Sequence, residues 1–85
     1  MIGQQKEMLP ELLLNPQAIV NRKFKHKCKD PENGTIEWYK GKVIGVHRHN
    51  DNPIETEFTV KYEEDEDEWF FPLLQDLKNG DLMFV

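Results

Sequence analysis

Aromatic residues beside a run of acids form the most chemically suggestive pattern in the chain. Tyr39 and Tyr62 each lie in a row of mainly apolar residues with a period of two, and Trp69 directly follows the acids Glu63–Glu68. A ring face attracts a cation, and each such contact is worth about 0.5–2 kcal/mol, depending on desolvation. Three rings beside carboxylates therefore predict a cage for a methylated ammonium. An equally supported alternative is that the rings only complete a small core.

The acids next to these rings predict the second half of such a site. We expect Glu64, Asp65, Glu66 and Asp67 to contact a cationic peptide and to accelerate its approach. The alternative is a solvated loop without a ligand. The run lacks the ligand spacing and the turn glycine of an EF-hand, so the sequence predicts no calcium loop.

The remaining reactive residues predict no catalytic or metal centre. His26 and Cys28 share one strand face and could pair as base and nucleophile, but no third orienting group is evident, which favours a buried structural cysteine. His47 and His49 form an H-x-H pair without a further metal ligand, which favours a surface loop. We therefore expect a protein that is not an enzyme, with no catalytic residue, no metal and no cofactor.

Charge is divided unevenly along the chain. Residues 1–50 carry nine Lys and Arg against five acids, whereas residues 51–85 carry two Lys against eleven acids. The acidic half favours a cationic peptide as partner. One basic feature is the alternation of Lys23, Lys25, Lys27 and Lys29, which predicts a basic outer strand face capable of a weak nucleic-acid contact.

The spacing of apolar residues predicts an all-β domain. Strands are expected over 23–29, 36–46, 57–62, 68–71 and 81–85, with a helical turn over 73–78 closed by Asn79-Gly80. Five short strands over residues 21–85 predict a small, strongly bent barrel, because closure would remove most of the exposed edge. Residues 1–20 are expected to form a short N-terminal extension, either a short helix from Pro10 or partly disordered.

Size and composition bound the remaining possibilities. A chain of 85 residues with 38% hydrophobic residues supports one small domain and is too apolar for a disordered chain. No apolar run approaches the roughly 18 residues of a membrane span, so no membrane partner is expected. The single cysteine excludes an intramolecular disulfide and is typical of a reducing compartment.

Residues Arg22 to Val85 resemble a Spindlin/Ssty-type Tudor-like domain, within the Tudor "Royal" group of methyl-lysine and methyl-arginine readers. The resemblance is carried by Phe24–His26, Glu37–Val43, Phe58–Glu63 and Leu73–Leu82, of which the last is the most specific. It implies an SH3-like five-stranded barrel that binds a methylated lysine, or less readily a methylated arginine, on a histone tail. It also implies a chromatin protein in the nucleus.

The resemblance assigns the cage residue by residue. The aromatic of the second strand falls on Tyr39, or on Trp38 if the hairpin is one residue shorter. The others fall on Tyr62 and on Trp69, with Phe71 close by. Cys28 stands near the place of a fourth aromatic wall, and this departure leaves weaker binding, a different mark or a scaffold role open. The alternative function is a structural barrel whose aromatics are buried against other domains of a larger nuclear protein.

Overall fold

The computed structural model describes residues 5–85, which contain five strands and two short α-helices. The strands are β1 (Lys23–Lys29), β2 (Ile36–Arg48), β3 (Glu57–Tyr62), β4 (Glu68–Phe71) and β5 (Leu82–Phe84). The helices are α1 (Leu9–Leu14) and α2 (Leu73–Asn79), with 3-10 turns at Gln5–Met8, Pro16–Ile19 and Pro53–Glu55. Neither α-helix in this part of the chain is long and apolar enough to cross a membrane. The first four residues of the predicted extension lie outside the described residues.

The strands form one antiparallel sheet in the order β4-β3-β2-β1-β5, which confirms the predicted all-β, five-stranded fold class. The long strand β2 pairs with β1 through its first half and with β3 through its second half, and its register shifts after Val43 and after Val46. Such irregularities bend a strand and increase its twist. The sheet therefore curves around one inner face.

The curved sheet does not close into a barrel by hydrogen bonds. Within residues 5–85 no ladder joins β4 to β5. Pro72 follows β4 and has no amide proton for a further rung, and the chain turns there into α2. This helix connects β4 to β5 and packs against β5 and α1. Gly80 then ends α2 in the left-handed conformation, with φ 82°.

The core lies between the inner face of the sheet and the helices. Its buried hydrophobic residues are Leu12, Ile19, Phe24, Val43, Phe58, Val60, Leu73, Leu74, Leu77, Leu82 and Phe84. The strand residues among them follow the predicted alternation. Leu12 and Ile19 come from the N-terminal segment, so its helix is built into the core because it supplies apolar surface that a small domain needs.

Candidate functional site

A cavity of about 410 Å³ opens at the edge of the sheet where β2, β3 and β4 approach each other. We call it the aromatic cavity. Its lining residues are Cys28, Tyr39, Tyr62, Glu64, Asp65, Trp69 and Phe71. The fold thus brings together four of the five aromatic residues that sequence reasoning selected and two of the four acids.

Strand register explains why these side chains meet. On β1, His26 lies opposite Tyr39, and on β3, Tyr62 lies opposite Gly41. The lack of a side chain at Gly41 lets the Tyr62 ring approach β2, since a Cβ there would come within 3.2 Å of that ring. The same Cβ would lie 2.8 Å from the Phe24 ring and 2.9 Å from the Lys61 carbonyl oxygen. Gly41 is therefore required by close packing beneath the cavity.

The rings stand as walls at steep angles to one another. The Tyr39 and Tyr62 ring centres are 6.4 Å apart with an interplanar angle of 75°, and those of Tyr62 and Phe71 are 6.4 Å apart at 73°. Tyr39 and Trp69 are 40% and 46% exposed, whereas Tyr62 and Phe71 are half-buried. The cavity therefore has a buried inner part and an accessible rim of aromatic surface.

Hydrogen bonds hold the two rim aromatics in place. The Tyr39 hydroxyl donates to Glu37 Oε2 at 2.9 Å, and Trp69 Nε1 donates to Asp65 Oδ2 at 2.9 Å. The other Asp65 oxygen accepts the backbone N–H of Asp67 at 2.9 Å. The bonds from Asp67 and Trp69 lower the pKa of Asp65 below its ordinary value, so a negative charge persists at the cavity.

A chain of hydrogen bonds through His26 and Asp76 holds the Tyr62 ring in place. His26 Nδ1 is 2.8 Å from the Tyr62 hydroxyl, and His26 Nε2 is 3.0 Å from Asp76 Oδ2 on α2. In the neutral tautomer that suits an ionised Asp76, Nε2–H donates to the carboxylate and Nδ1 accepts a hydrogen bond from the Tyr62 hydroxyl. Burial, with smaller contributions from Cys28 and Asp76, raises the pKa of Tyr62, so the hydroxyl stays protonated at neutral pH.

Cys28 presents an uncharged side chain to the cavity. Burial, followed by the charge of Asp76, raises the pKa of its thiol. Both His26 ring nitrogens are engaged by Tyr62 and Asp76 rather than by Cys28. The formal charge at the cavity therefore comes from the carboxylates of Glu64 and Asp65, an arrangement suited to a cation.

Sequence reasoning missed the partnership of His26 with Asp76. The two residues are 50 positions apart, and no local pattern links a strand histidine to a helix acid. The available signal was the placement of His26 on the core-facing side of β1, because a buried imidazole needs partners for its nitrogens.

Three candidate residues lie outside the aromatic cavity. Trp38 is 41% exposed, lies opposite Lys27 in the register, and contributes with Tyr39 to a neighbouring cleft. Glu66 and Asp67 are exposed in the β3–β4 turn and do not line the cavity. The predicted surface loop is wrong for His47, which lies within β2 with its ring centre 3.8 Å from that of Phe70, whereas His49 follows the strand. Among residues 5–85 no group of three or more His, Cys, Asp or Glu side chains is placed to hold a metal ion.

A scan against protein-family models and a search of curated proteins find no match to this chain. The Tudor-like resemblance therefore rests on residues 24–26, 37–43, 58–63 and 73–82 of the sequence.

Proposed function

We propose that this protein is a non-enzymatic, Tudor-like nuclear module that binds a methylated lysine on a histone tail or similar cationic peptide. The observation that carries the proposal is the aromatic cavity, in which rings of Tyr39, Tyr62 and Trp69 surround a space bordered by Glu64 and Asp65. A methylated ammonium is both apolar and positively charged. Aromatic faces beside carboxylates match both properties.

The angles between the rings favour a lysine over an arginine derivative. A methylated ammonium is compact and roughly spherical, so it contacts walls that face it from several directions. The Tyr39 and Tyr62 rings meet at 75° and provide such walls. A methylated guanidinium is planar and binds best by stacking parallel to a ring. Methylated arginine is therefore the weaker candidate.

The carboxylates supply long-range attraction and positioning. Glu64 and Asp65 line the cavity, and the acids of the same loop extend the negative surface beyond it. Such a surface raises the local concentration of a cationic peptide and its association rate. Asp65 has a second role, since it holds Trp69 through the indole N–H.

The first experiment compares three versions of one histone-tail peptide by calorimetric titration. The target lysine is trimethylated, unmodified, or replaced by a neutral analogue with a tert-butyl group in place of the trimethylammonium. We expect the trimethylated peptide to bind at least about tenfold more tightly than the other two, because only it combines methyl groups with charge. Equal affinity for all three peptides would contradict the proposal.

The chain's two tryptophans provide a matched pair of variants. Trp69→Ala removes a wall of the aromatic cavity, whereas Trp38→Ala removes a similarly exposed indole that does not line it. We expect Trp69→Ala to abolish most of the preference for the methylated peptide and Trp38→Ala to retain it. If the two variants lose affinity equally, the cavity is not the binding site. Failure of every methylated histone peptide to bind would favour the alternative of a structural interface barrel.

A further inference from the structure

The outer face of the sheet carries a dense patch of positive charge. We call it the lysine face, and its members are Lys23, Lys25, Lys27 and Lys29 on β1, Lys40 and Lys42 on β2, and Lys61 on β3. Alternation along each strand turns these side chains away from the core. Six of them are exposed, and Lys25 is partly exposed.

Strand pairing places several of these lysines directly opposite each other. Lys42 lies between Lys23 on one side and Lys61 on the other, so three like charges form a row across three strands. Lys25 lies opposite Lys40 in the next row. Like charges at opposed positions destabilise a sheet, so the folded state alone gives no reason for this arrangement.

Little of this charge is neutralised within the molecule. Among residues 5–85 only Lys27 of the lysine face has a carboxylate within ion-pair distance, with Nζ 3.8 Å from Asp81 Oδ1. Glu68 lies opposite Lys61 at the margin of the patch but forms no ion pair with it within this part of the chain. The patch thus presents a positive potential to solvent, in a chain whose formal net charge is -5.

We propose that the lysine face binds the phosphate backbone of nucleic acid. At a rise of roughly 3.3 Å per residue, the four lysines of β1 extend over about 20 Å, which is long enough to contact several phosphates. Trp38 lies opposite Lys27 and is 41% exposed, so a base of a single strand can stack beside the charged row. The ligand recognised is a line of phosphates.

The charge distribution favours nucleic acid over an anionic membrane. An anionic membrane is a flat surface. A membrane docked against the lysine face would also approach other parts of this acidic domain, and the like charges would repel each other. A nucleic-acid strand is a line of charge, which can follow the lysines of β1, a strand that β2 separates from β3 and its acidic turn. The proposal does not depend on the reader function, because the lysine face and the aromatic cavity use opposite faces of the strands.

The test measures fluorescence anisotropy of a labelled single strand and a labelled duplex as the full chain is added, at low and at physiological salt. Vesicles of phosphatidylcholine with phosphatidylserine form a third arm, measured by co-sedimentation. We expect nucleic acid to bind at low salt and to dissociate as salt rises. Tighter binding of the single strand would assign a stacking role to Trp38, and equal binding would assign the contact to phosphates alone; both support the lysine face.

Variants locate the contact. Lys23→Gln, Lys42→Gln and Lys61→Gln together should reduce the slope of log K against log salt by about 2–3, since each phosphate contact contributes roughly 0.7–0.9. The corresponding triple Arg variant keeps the charge and should bind as the wild type does. Lys42→Gln should weaken binding several-fold, whereas Lys78→Gln, the same change of charge on α2, should not.

Three results would overturn the proposal. They are the absence of binding to either nucleic acid at low salt, equal weakening by Lys42→Gln and Lys78→Gln, and binding to anionic vesicles without binding to nucleic acid. Circular dichroism of each variant confirms that it is folded before binding is interpreted. The Gln substitutions remove repulsion between lysines and are not expected to unfold the sheet.

Discussion

The aromatic cavity and the lysine face are built on the same strands but differ in how their side chains are held. Tyr39 and Lys40 are neighbours in the chain, yet one lines the cavity and the other belongs to the charged outer surface. Tyr62 and Trp69 are fixed by hydrogen bonds to His26 and Asp65. Most of the lysines are fixed only by the strand that carries them.

This difference predicts contrasting responses to substitution. A cavity whose walls depend on partners from other elements should fail when one partner is removed. A face of separate exposed charges should change in small, nearly additive steps.

Gly41→Ala should damage the cavity most. The added Cβ would lie 2.8 Å from Phe24 Cζ and 2.9 Å from the Lys61 carbonyl oxygen, so backbone or core must shift. We expect a loss of about 1–3 kcal/mol of unfolding free energy, together with loss of methylated-peptide binding. Denaturant unfolding measures the first effect and calorimetry the second.

Gly45 provides the control for this substitution. A Cβ at Gly45 would meet no atom within 4 Å, so Gly45→Ala on the same strand should leave stability within about 0.5 kcal/mol of the wild type. Equal destabilisation by both alanines would show that strand propensity, and not the close approach of Phe24 and Tyr62, explains the glycine.

Asp76→Ala should have the next largest effect. It leaves the buried His26 Nε2–H without its acceptor, which costs about 1–2 kcal/mol, and it loosens Tyr62 through the same chain of hydrogen bonds. Asp81→Ala is the matched control, because its carboxylate makes a half-exposed ion pair with Lys27, worth at most about 1 kcal/mol. If Asp81→Ala weakens methylated-peptide binding as strongly, the His26 chain does not position the cavity wall.

Alkaline pH should weaken the contribution of Tyr62 to stability. Burial raises the pKa of Tyr62 in the folded state, so its stabilising contribution is complete below the unfolded value of about 10 and is lost as pH rises above it. We therefore compare the wild type with Tyr62→Phe by unfolding at increasing pH. The wild type should lose more stability than the variant, and parallel curves would contradict this assignment.

Lys42→Gln should produce the smallest change, in the opposite direction. It removes the middle charge of the row with Lys23 and Lys61, and we expect a gain of about 0.2–1 kcal/mol in unfolding free energy at low salt. The gain should shrink as salt is added, because screening already weakens the repulsion. A loss of stability would mean that the lysine stem contributes more through packing than its charge costs.

Local patterns predicted much of the fold. The period of two placed β1 and β3 at their observed bounds, the end of the acidic loop placed β4, and proline and glycine signals placed α1 and α2 to within a residue or two. These features depend on neighbours in the chain, so a single sequence contains them. The open side between β4 and β5 was not predictable in this way, because it depends on how α2 packs.

The candidate site was predictable only in part. Tyr39, Tyr62, Trp69 and Phe71 were identified by their positions at strand ends and by family resemblance, and the cavity includes all four. Trp38 could not be separated from Tyr39 by spacing alone, since the choice depends on the hairpin register. The register places Trp38 opposite the outward Lys27 and thereby outside the cavity.

Alternation along β2 and β3 could be read from the sequence, and it places Tyr39 and Tyr62 on the face opposite to Lys40, Lys42 and Lys61. That follows from the geometry of an extended backbone, in which successive side chains point to opposite sides. The folded chain was needed to show that Asp76 on α2 supports Tyr62 through His26, and that Lys23, Lys42 and Lys61 align. Both depend on pairing between segments distant in the chain, whose register is set by the packing of the shared core.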